Sequence, residues 1–331
     1  SVSFFFILLT LYFFFLKIIF GLNFNSSYEA KSYADNLRAL ANAPLFLVQL
    51  STKLTGVLFL FKLAFLYFVI GKLKSKRWKW FLVIWIAYEI IDAVLLKGSR
   101  SNLMFFLIGS ALLYHRMVKE FNFRSLFLSG GLIFILFIFL GIYRFYTDLN
   151  SLQGDLSESE SGIFSAGNEF QALLGTSYDI LTMRENGNIF PSYLYMNDFI
   201  SILPPQQLLP FEKVEASEWY LRQLGINGTG VGFMWGVVSQ ALVGFDWFEL
   251  AFRGFLLGFL LGLFHNYYVK KQSSFFLTLF YVYMCLRVYY TFRDTTFSPL
   301  AFVVWEVIPF YFLIKIGNSI FNRQSSSQIS K

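Results

Sequence analysis

Arg100, Arg144, Arg287 and Arg293, with Lys97 just ahead of the first, are the side chains of this sequence best suited to chemistry. Each lies at or near the end of a long apolar run, where a charge is costly unless it meets a partner or an anion. A guanidinium is planar and presents paired N–H donors that match phosphate oxygens. Lys97 and Arg100 occupy a tight polar turn, Lys97-Gly98-Ser99-Arg100-Ser101-Asn102, between two apolar runs. Arg287 falls about one and a half turns inside its run and Arg293 stands at the edge. Four guanidinium groups at one depth suit a diphosphate carried on a lipid. The structural alternatives are snorkelling to headgroups and, for Arg287, pairing with Asp92 or Glu306.

Carboxylates could supply a general base. Glu169 lies in the turn Gly167-Asn168-Glu169-Phe170, followed by the apolar Ala172, Leu173 and Leu174, and is preferred slightly over Asp179. Glu89 and Asp92 share a helix face, and Glu306 sits in the last apolar run. For most loop acids an ordinary solvated charge is the simpler account. The single cysteine, Cys285, and the two histidines, His115 and His265, are far apart in sequence, so no metal-ligand set and no disulfide is expected. The run Leu224 to Gly232 is glycine-rich, but no strand precedes it and no Lys-Ser/Thr follows, so a nucleotide loop is not expected.

These residues depend on helices that the composition makes clear. Of 331 residues, 56% are hydrophobic, 21% aromatic and only 14% charged, and 44 are Phe. A soluble domain carries about 25% charge. Disordered chains, nucleic-acid-binding modules and secreted disulfide scaffolds are excluded, and long continuous apolar runs argue against a barrel. The fold class is therefore an all-α polytopic membrane protein. A helix needs about 20 apolar residues to cross a bilayer. Eight crossings are expected, at 2–20, 52–71, 79–96, 102–117, 125–145, 248–267, 273–291 and 297–317. The chain begins at Ser1 rather than Met, so further residues upstream, up to whole helices, are expected.

The net charge of +7 reads as anchoring charge. Lys72, Lys74, Lys76, Arg77 and Lys79 separate the second and third runs, Arg116, Lys119 and Arg124 the fourth and fifth, Lys270 and Lys271 the sixth and seventh. Every second connection is basic, which puts both ends in the cytoplasm. Four segments follow: 1–145 with the N-terminal spans, a large outer loop at 146–247, the C-terminal spans at 248–318 and a tail at 319–331. The loop is acidic and proline-containing, and a structureless loop of that length is improbable unless functional. Short interfacial helices are expected in it, with 231–245 re-entrant or interfacial because it is too short to span. Gly254, Gly258 and Gly262, spaced by four, read as close helix packing.

Three pieces of the sequence resemble bacterial oligosaccharide repeat-unit polymerases, the O-antigen polymerase family. One is Lys97-Gly98-Ser99-Arg100 followed by Asn102 to Tyr114. The second is the outer loop with Gly167-Asn168-Glu169-Phe170, Ile202-Leu203-Pro204, Gly232-Phe233 and Gly244-Phe245. The third is Gly254 to Gly262, then Arg293 before the last span. Together they cover about the C-terminal two thirds. The resemblance implies a GT-C-like polymerase architecture in a bacterial inner membrane. It also implies extension of glycan on undecaprenyl diphosphate at the outer face, for O-antigen or capsule, with no cofactor, metal or nucleotide sugar. Arg100, Arg144, Arg287, Arg293 and Lys97 would hold the diphosphate, Glu169 or Asp179 would act on the accepting hydroxyl, and Trp219, Tyr220, Tyr193 and Tyr195 would stack on sugars. A chain-length regulator and a flippase would be partners, beside the lipid-linked oligosaccharide and membrane lipids; nucleic acid would not. The family often has more crossings, and the paired-arginine loop pattern of some members is not evident here.

Three other readings compete. An O-antigen ligase is expected to use an outward-facing histidine, whereas His115 and His265 fall beside basic cytoplasmic clusters. A transporter of lipid-linked glycan predicts interrupted helices in corresponding halves. A non-catalytic membrane scaffold predicts no binding of lipid diphosphate.

Overall fold

The structure is a computed structural model. It describes residues 2–20, 44–94, 100–122, 124–125, 127–128, 130–133, 135, 139, 169–200, 202–203, 209–211, 214, 216–224, 235–271 and 274–329. Among these residues every element is helical. Five stretches are long and apolar enough to cross a bilayer: Val2–Phe20, Leu54–Gly71, Trp247–Lys270, Phe275–Arg293 and Ser298–Ile320. They fall on the first, second, sixth, seventh and eighth expected crossings. The third and fourth correspond to helices, Lys76–Val94 and Arg100–Met117, that are not among the five. Charge explains the third, because Lys76, Arg77, Lys79, Glu89 and Asp92 all lie on it. The fifth crossing, 125–145, falls largely outside the described residues.

The chain forms two compact units, one of Ser1–Glu160 with Glu306–Lys331 and the other of Ser161–Trp305. The first contains α1 (Val2–Phe20), α2 (Leu45–Gly71), α3 (Lys76–Val94), α4 (Arg100–Met117) and, after the intervening unit, α13 (Ile308–Ile329). Helix α2 touches all four of the others. Its Phe61, Leu63, Ala64 and Leu66 are fully buried. Rings do much of this packing. Phe61 meets Phe310 edge-on at 4.7 Å and stacks on Phe5 at 5.6 Å, and Phe6 stacks on Phe65 at 5.5 Å. Each such pair adds about 0.5–1.5 kcal/mol beyond its buried area. Helix α1 turns Phe4, Ile7, Phe14 and Ile18 outward, a surface that suits lipid rather than water. Lys72, Lys74, Lys76, Arg77 and Lys79 are exposed around the turn from α2 to α3.

The second unit contains α5 (Glu169–Glu185), a 3-10 turn (Ser192–Met196), α6 (Asn197–Ile200), α7 (Ala216–Gln223), α8 (Gly236–Val243), α9 (Trp247–Lys270), α10 (Phe275–Arg287), α11 (Tyr289–Arg293) and α12 (Ser298–Phe302). Ser274 caps α10 through its side-chain oxygen, which accepts from the Leu277 amide. Pro299 opens α12, where its missing N–H costs nothing. A π-helical turn, Val303–Val307, interrupts the last apolar stretch, and the boundary between units falls within it. The backbone stays helical through Ile329, beyond the start of the expected tail.

Helix α8 is the hub of this unit, touching α5, the 3-10 turn, α9 and α11. Eight residues rise only about 12 Å, too little to span. A core of Ile180, Leu194, Trp219, Tyr220, Trp235, Leu242 and Val243 forms against it. One polar side chain organises that core. Gln240, 1% exposed, accepts from Trp235 Nε1 at 2.8 Å and from Asn197 Nδ2 at 3.2 Å, and donates to the Leu194 carbonyl at 2.8 Å. Asn197 Oδ1 accepts in turn from the Ala216 amide at 3.0 Å. One buried side chain thereby ties α8, the 3-10 turn, α6 and the start of α7 together.

Candidate functional site

The start of α8 is a meeting point of helices that carry two of the expected site residues. Gly236 has φ of +72°, which favours glycine. A Cβ there would collide with the Leu173 side chain and lie 2.6 Å from the Phe292 carbonyl oxygen. Glu169 precedes Leu173 by one helical turn, about 6 Å along α5. Arg293 directly follows Phe292. Helix α5 at Leu173, the start of α8 and α11 at Phe292 therefore meet at Gly236, and Glu169 and Arg293 lie on the two helices that meet there, 124 positions apart in sequence (293 − 169). Arg293 is half-buried. The backbone of Glu169 is helical and its side chain lies outside the described residues.

The far end of α8 is closed. Arg184 donates from Nη1 to the Leu242 carbonyl at 2.7 Å and lies 3.8 Å from the Asp246 carboxylate. A guanidinium there satisfies a carbonyl that the helix leaves unpaired. The chain then turns through Gly244 and Asp246, the latter at φ of +64°. Glu249 folds back over that turn. Its Oε2 accepts from the Phe245 amide at 2.8 Å, and a Cβ at position 244 would collide with its carboxylate.

Glu249 also holds Arg253, a residue that sequence analysis did not single out. Arg253, 8% exposed in α9, pairs with Glu249 at 2.5 Å, with Asp198, and with Thr296 Oγ1 at 2.9 Å. Asp198 accepts in addition from the Phe297 amide at 3.3 Å. The only local signal was the Glu249–Arg253 spacing of four, which places both on one helix face.

Asp179 is half-buried on α5 and accepts the hydroxyl proton of Tyr220. Burial, followed by the Asp179 carboxylate, raises the Tyr220 pKa, so the phenol stays protonated and the carboxylate is held as its acceptor. Asp179 is thus engaged in packing α7 on α5, which leaves Glu169 as the better candidate base. Arg287 is 8% exposed. It donates from Nε to Tyr283 Oη at 3.0 Å, and its guanidinium carbon lies 5.2, 5.2 and 4.4 Å from the ring centres of Tyr283, Tyr290 and Phe302. Aromatic faces, which attract cations, supply part of the compensation that a buried guanidinium requires. Trp219 is a core residue, edge-on to Phe190 and Trp235 at 5.8 and 6.1 Å. Tyr193 and Tyr195 are 39% and 47% exposed.

The Arg100 backbone opens α4, with its side chain outside the described residues, and Lys97, Arg144 and the glycine-rich run 225–232 fall outside them entirely. His265 accepts or donates a 2.8 Å bond with Tyr281 and lies about 27 Å along α9 from Trp247, at the opposite end from the loop. No family model, no curated protein and no solved structure matches the chain.

Proposed function

We propose that this chain polymerises lipid-linked oligosaccharide repeat units. It would work at the outer face of a bacterial inner membrane, crossing about eight times with both ends in the cytoplasm. The observation that carries this reading is the junction at Gly236, which brings the start of α5, with Glu169, to the end of α11, with Arg293. An acidic and a basic residue carried on two helices that meet, beside helices long enough to span, suit transfer from a lipid diphosphate. The accepting sugar hydroxyl attacks the anomeric carbon of the growing glycan, the bond from that carbon to the phosphate oxygen breaks, and undecaprenyl diphosphate leaves. Arg293 stabilises the charge developing on the diphosphate, the role that the resemblance also gives Arg100, Arg144 and Lys97. Glu169 takes or orients the hydroxyl proton. Arg287, boxed by rings, acts at most through its charge at a distance. The protein's own residues provide binding, orientation and charge, and no cofactor enters the reaction.

One feature favours polymerase over ligase. His265 lies at the end of α9 remote from Trp247 and the segment that precedes it, where a ligase histidine would not serve. Purified protein in lipid vesicles, supplied with a defined undecaprenyl diphosphate-linked repeat unit, is expected to yield a ladder of products. Glu169→Gln and Arg293→Ala are each expected to lower the rate by about a hundredfold or more. Absence of products, or single-step products only, overturns the reading.

A further inference from the structure

Residues 189–203 carry an inverted pattern of burial. In the 3-10 turn and α6, the buried side chains are Leu194, Asn197 and Asp198, while Tyr193, Tyr195, Met196 and Phe199 are exposed, the last two at 60% and 62%. Ile189, just before, is also exposed. Helix α7 of the same unit shows the opposite arrangement, burying Ala216, Trp219 and Tyr220 and exposing the Glu218–Arg222 pair. Water accounts for α7. It does not account for a segment that turns an amide and a carboxylate inward and large apolar groups outward.

The partners of the buried groups fix the level of this segment. Asp198 binds Arg253, which lies about 9 Å along α9 from Trp247. It also accepts from the Phe297 amide, immediately before the stretch Ser298–Ile320. The Ile202 carbonyl accepts from Trp305 Nε1 at 3.1 Å, and Trp305 lies about 10 Å into that stretch. Two spanning helices are therefore engaged near their starts, on one side, by a segment too short to cross. At that level the surrounding solvent is the interface and the upper acyl chains of a bilayer. Tyr rings belong at such a border, and Met and Phe belong just below it.

We infer that residues 189–203 form a membrane-inserted anchor, with Met196 and Phe199 in contact with the acyl chains of the outer leaflet. Its partner is the lipid surface itself, and the inference does not rest on the polymerase reading. The anchor would hold the hub α8, through Leu194, Asn197 and Gln240, at a fixed height above the bilayer core.

Depth-dependent quenching tests this on the full chain. Cys285→Ser removes the lone thiol, and Met196→Cys, Phe199→Cys or Glu218→Cys then accepts a nitrobenzoxadiazole label. The labelled proteins are placed in phosphatidylcholine vesicles. Doxyl-labelled phosphatidylcholine is expected to quench the label at 196 and 199 several-fold more strongly than at 218, and iodide on both sides is expected to quench in the reverse order. Iodide quenching at 196 and 199 equal to that at 218 overturns the inference. So does shielding from both quenchers, which would mean that protein covers the segment. The two insertion-site variants are independent, so misfolding of one leaves the other to decide.

Discussion

In the unit around α2, Ser51, Glu89, Ser110 and Glu306 are the buried polar side chains among the described residues. The unit around α8 buries Asn197, Asp198, Gln240, Arg253 and Arg287, along with a set of Ser and Thr hydroxyls. The first holds its helices largely by ring against ring, and Lys62 pairs with Glu89 at 2.5 Å, with Trp85 Nε1 donating to the same carboxylate at 2.9 Å and Phe106 under the ammonium at 4.8 Å. The second holds short helices by directional bonds between residues distant in sequence. Ring packing is permissive, since many side chains of similar volume fill the same space. A hydrogen-bonded network fixes one arrangement and is costly to leave half-satisfied. The unit that carries the candidate site is thus the one whose geometry is more narrowly specified.

Substitutions can break or sharpen this contrast. The largest effect is expected from Arg253→Ala, which removes the guanidinium from the buried Asp198 and half-buried Glu249 carboxylates. A loss of about 3–5 kcal/mol follows, and hydrogen exchange should report it as lost protection in α6, α9 and α12. Unchanged protection would mean that the network is not what holds this unit. Tyr220→Phe is expected to cost about 1.5–3 kcal/mol, the range for a bond to a charged acceptor. It also carries a pH signature. The folded pKa of Tyr220 is raised above its ordinary value near 10, so its contribution is complete below about pH 10 and is lost as pH rises further. Thermal unfolding followed from pH 8 to 11 should fall more steeply in the parent than in Tyr220→Phe, and parallel curves would refute the assignment. The smallest effect is expected in the other unit. Leu63→Met keeps the volume at a fully buried position and should cost under about 1.5 kcal/mol in the same unfolding measurement. A cost equal to that of Arg253→Ala would erase the distinction between the units.

Of the eight expected crossings, five were legible as long apolar helices, because length and apolarity alone determine them, and α1, α9 and α10 lie close to where the sequence puts them. The short helices between Glu169 and Val243 were legible only as a class, since their positions depend on contacts with α8 rather than on local periodicity. Arg287 stood out as a costly charge. Its neighbour Tyr283, one turn earlier, was within reach of a helical-spacing argument, whereas Phe302, across a turn and another helix, was not. Arg253 was overlooked for a related reason. Its acidic partner Asp198 is fifty-five residues away (253 − 198), so nothing in the local sequence distinguishes it from an ordinary charge near a membrane edge. Gly236 illustrates the same limit, because an isolated glycine gives no sign of the Phe292 carbonyl that crowds it.

The turn from Gly244 to Arg253 has a consequence for how this sequence can change over generations. Glu249 occupies the space a side chain at 244 would need, accepts the Phe245 amide and pairs with Arg253. No one of these three positions can drift alone. A larger residue at 244 displaces the carboxylate, and a shortened acid at 249 releases the guanidinium. Gly244, Glu249 and Arg253 should therefore be inherited as a linked trio, kept or replaced together in any descendant that retains this corner.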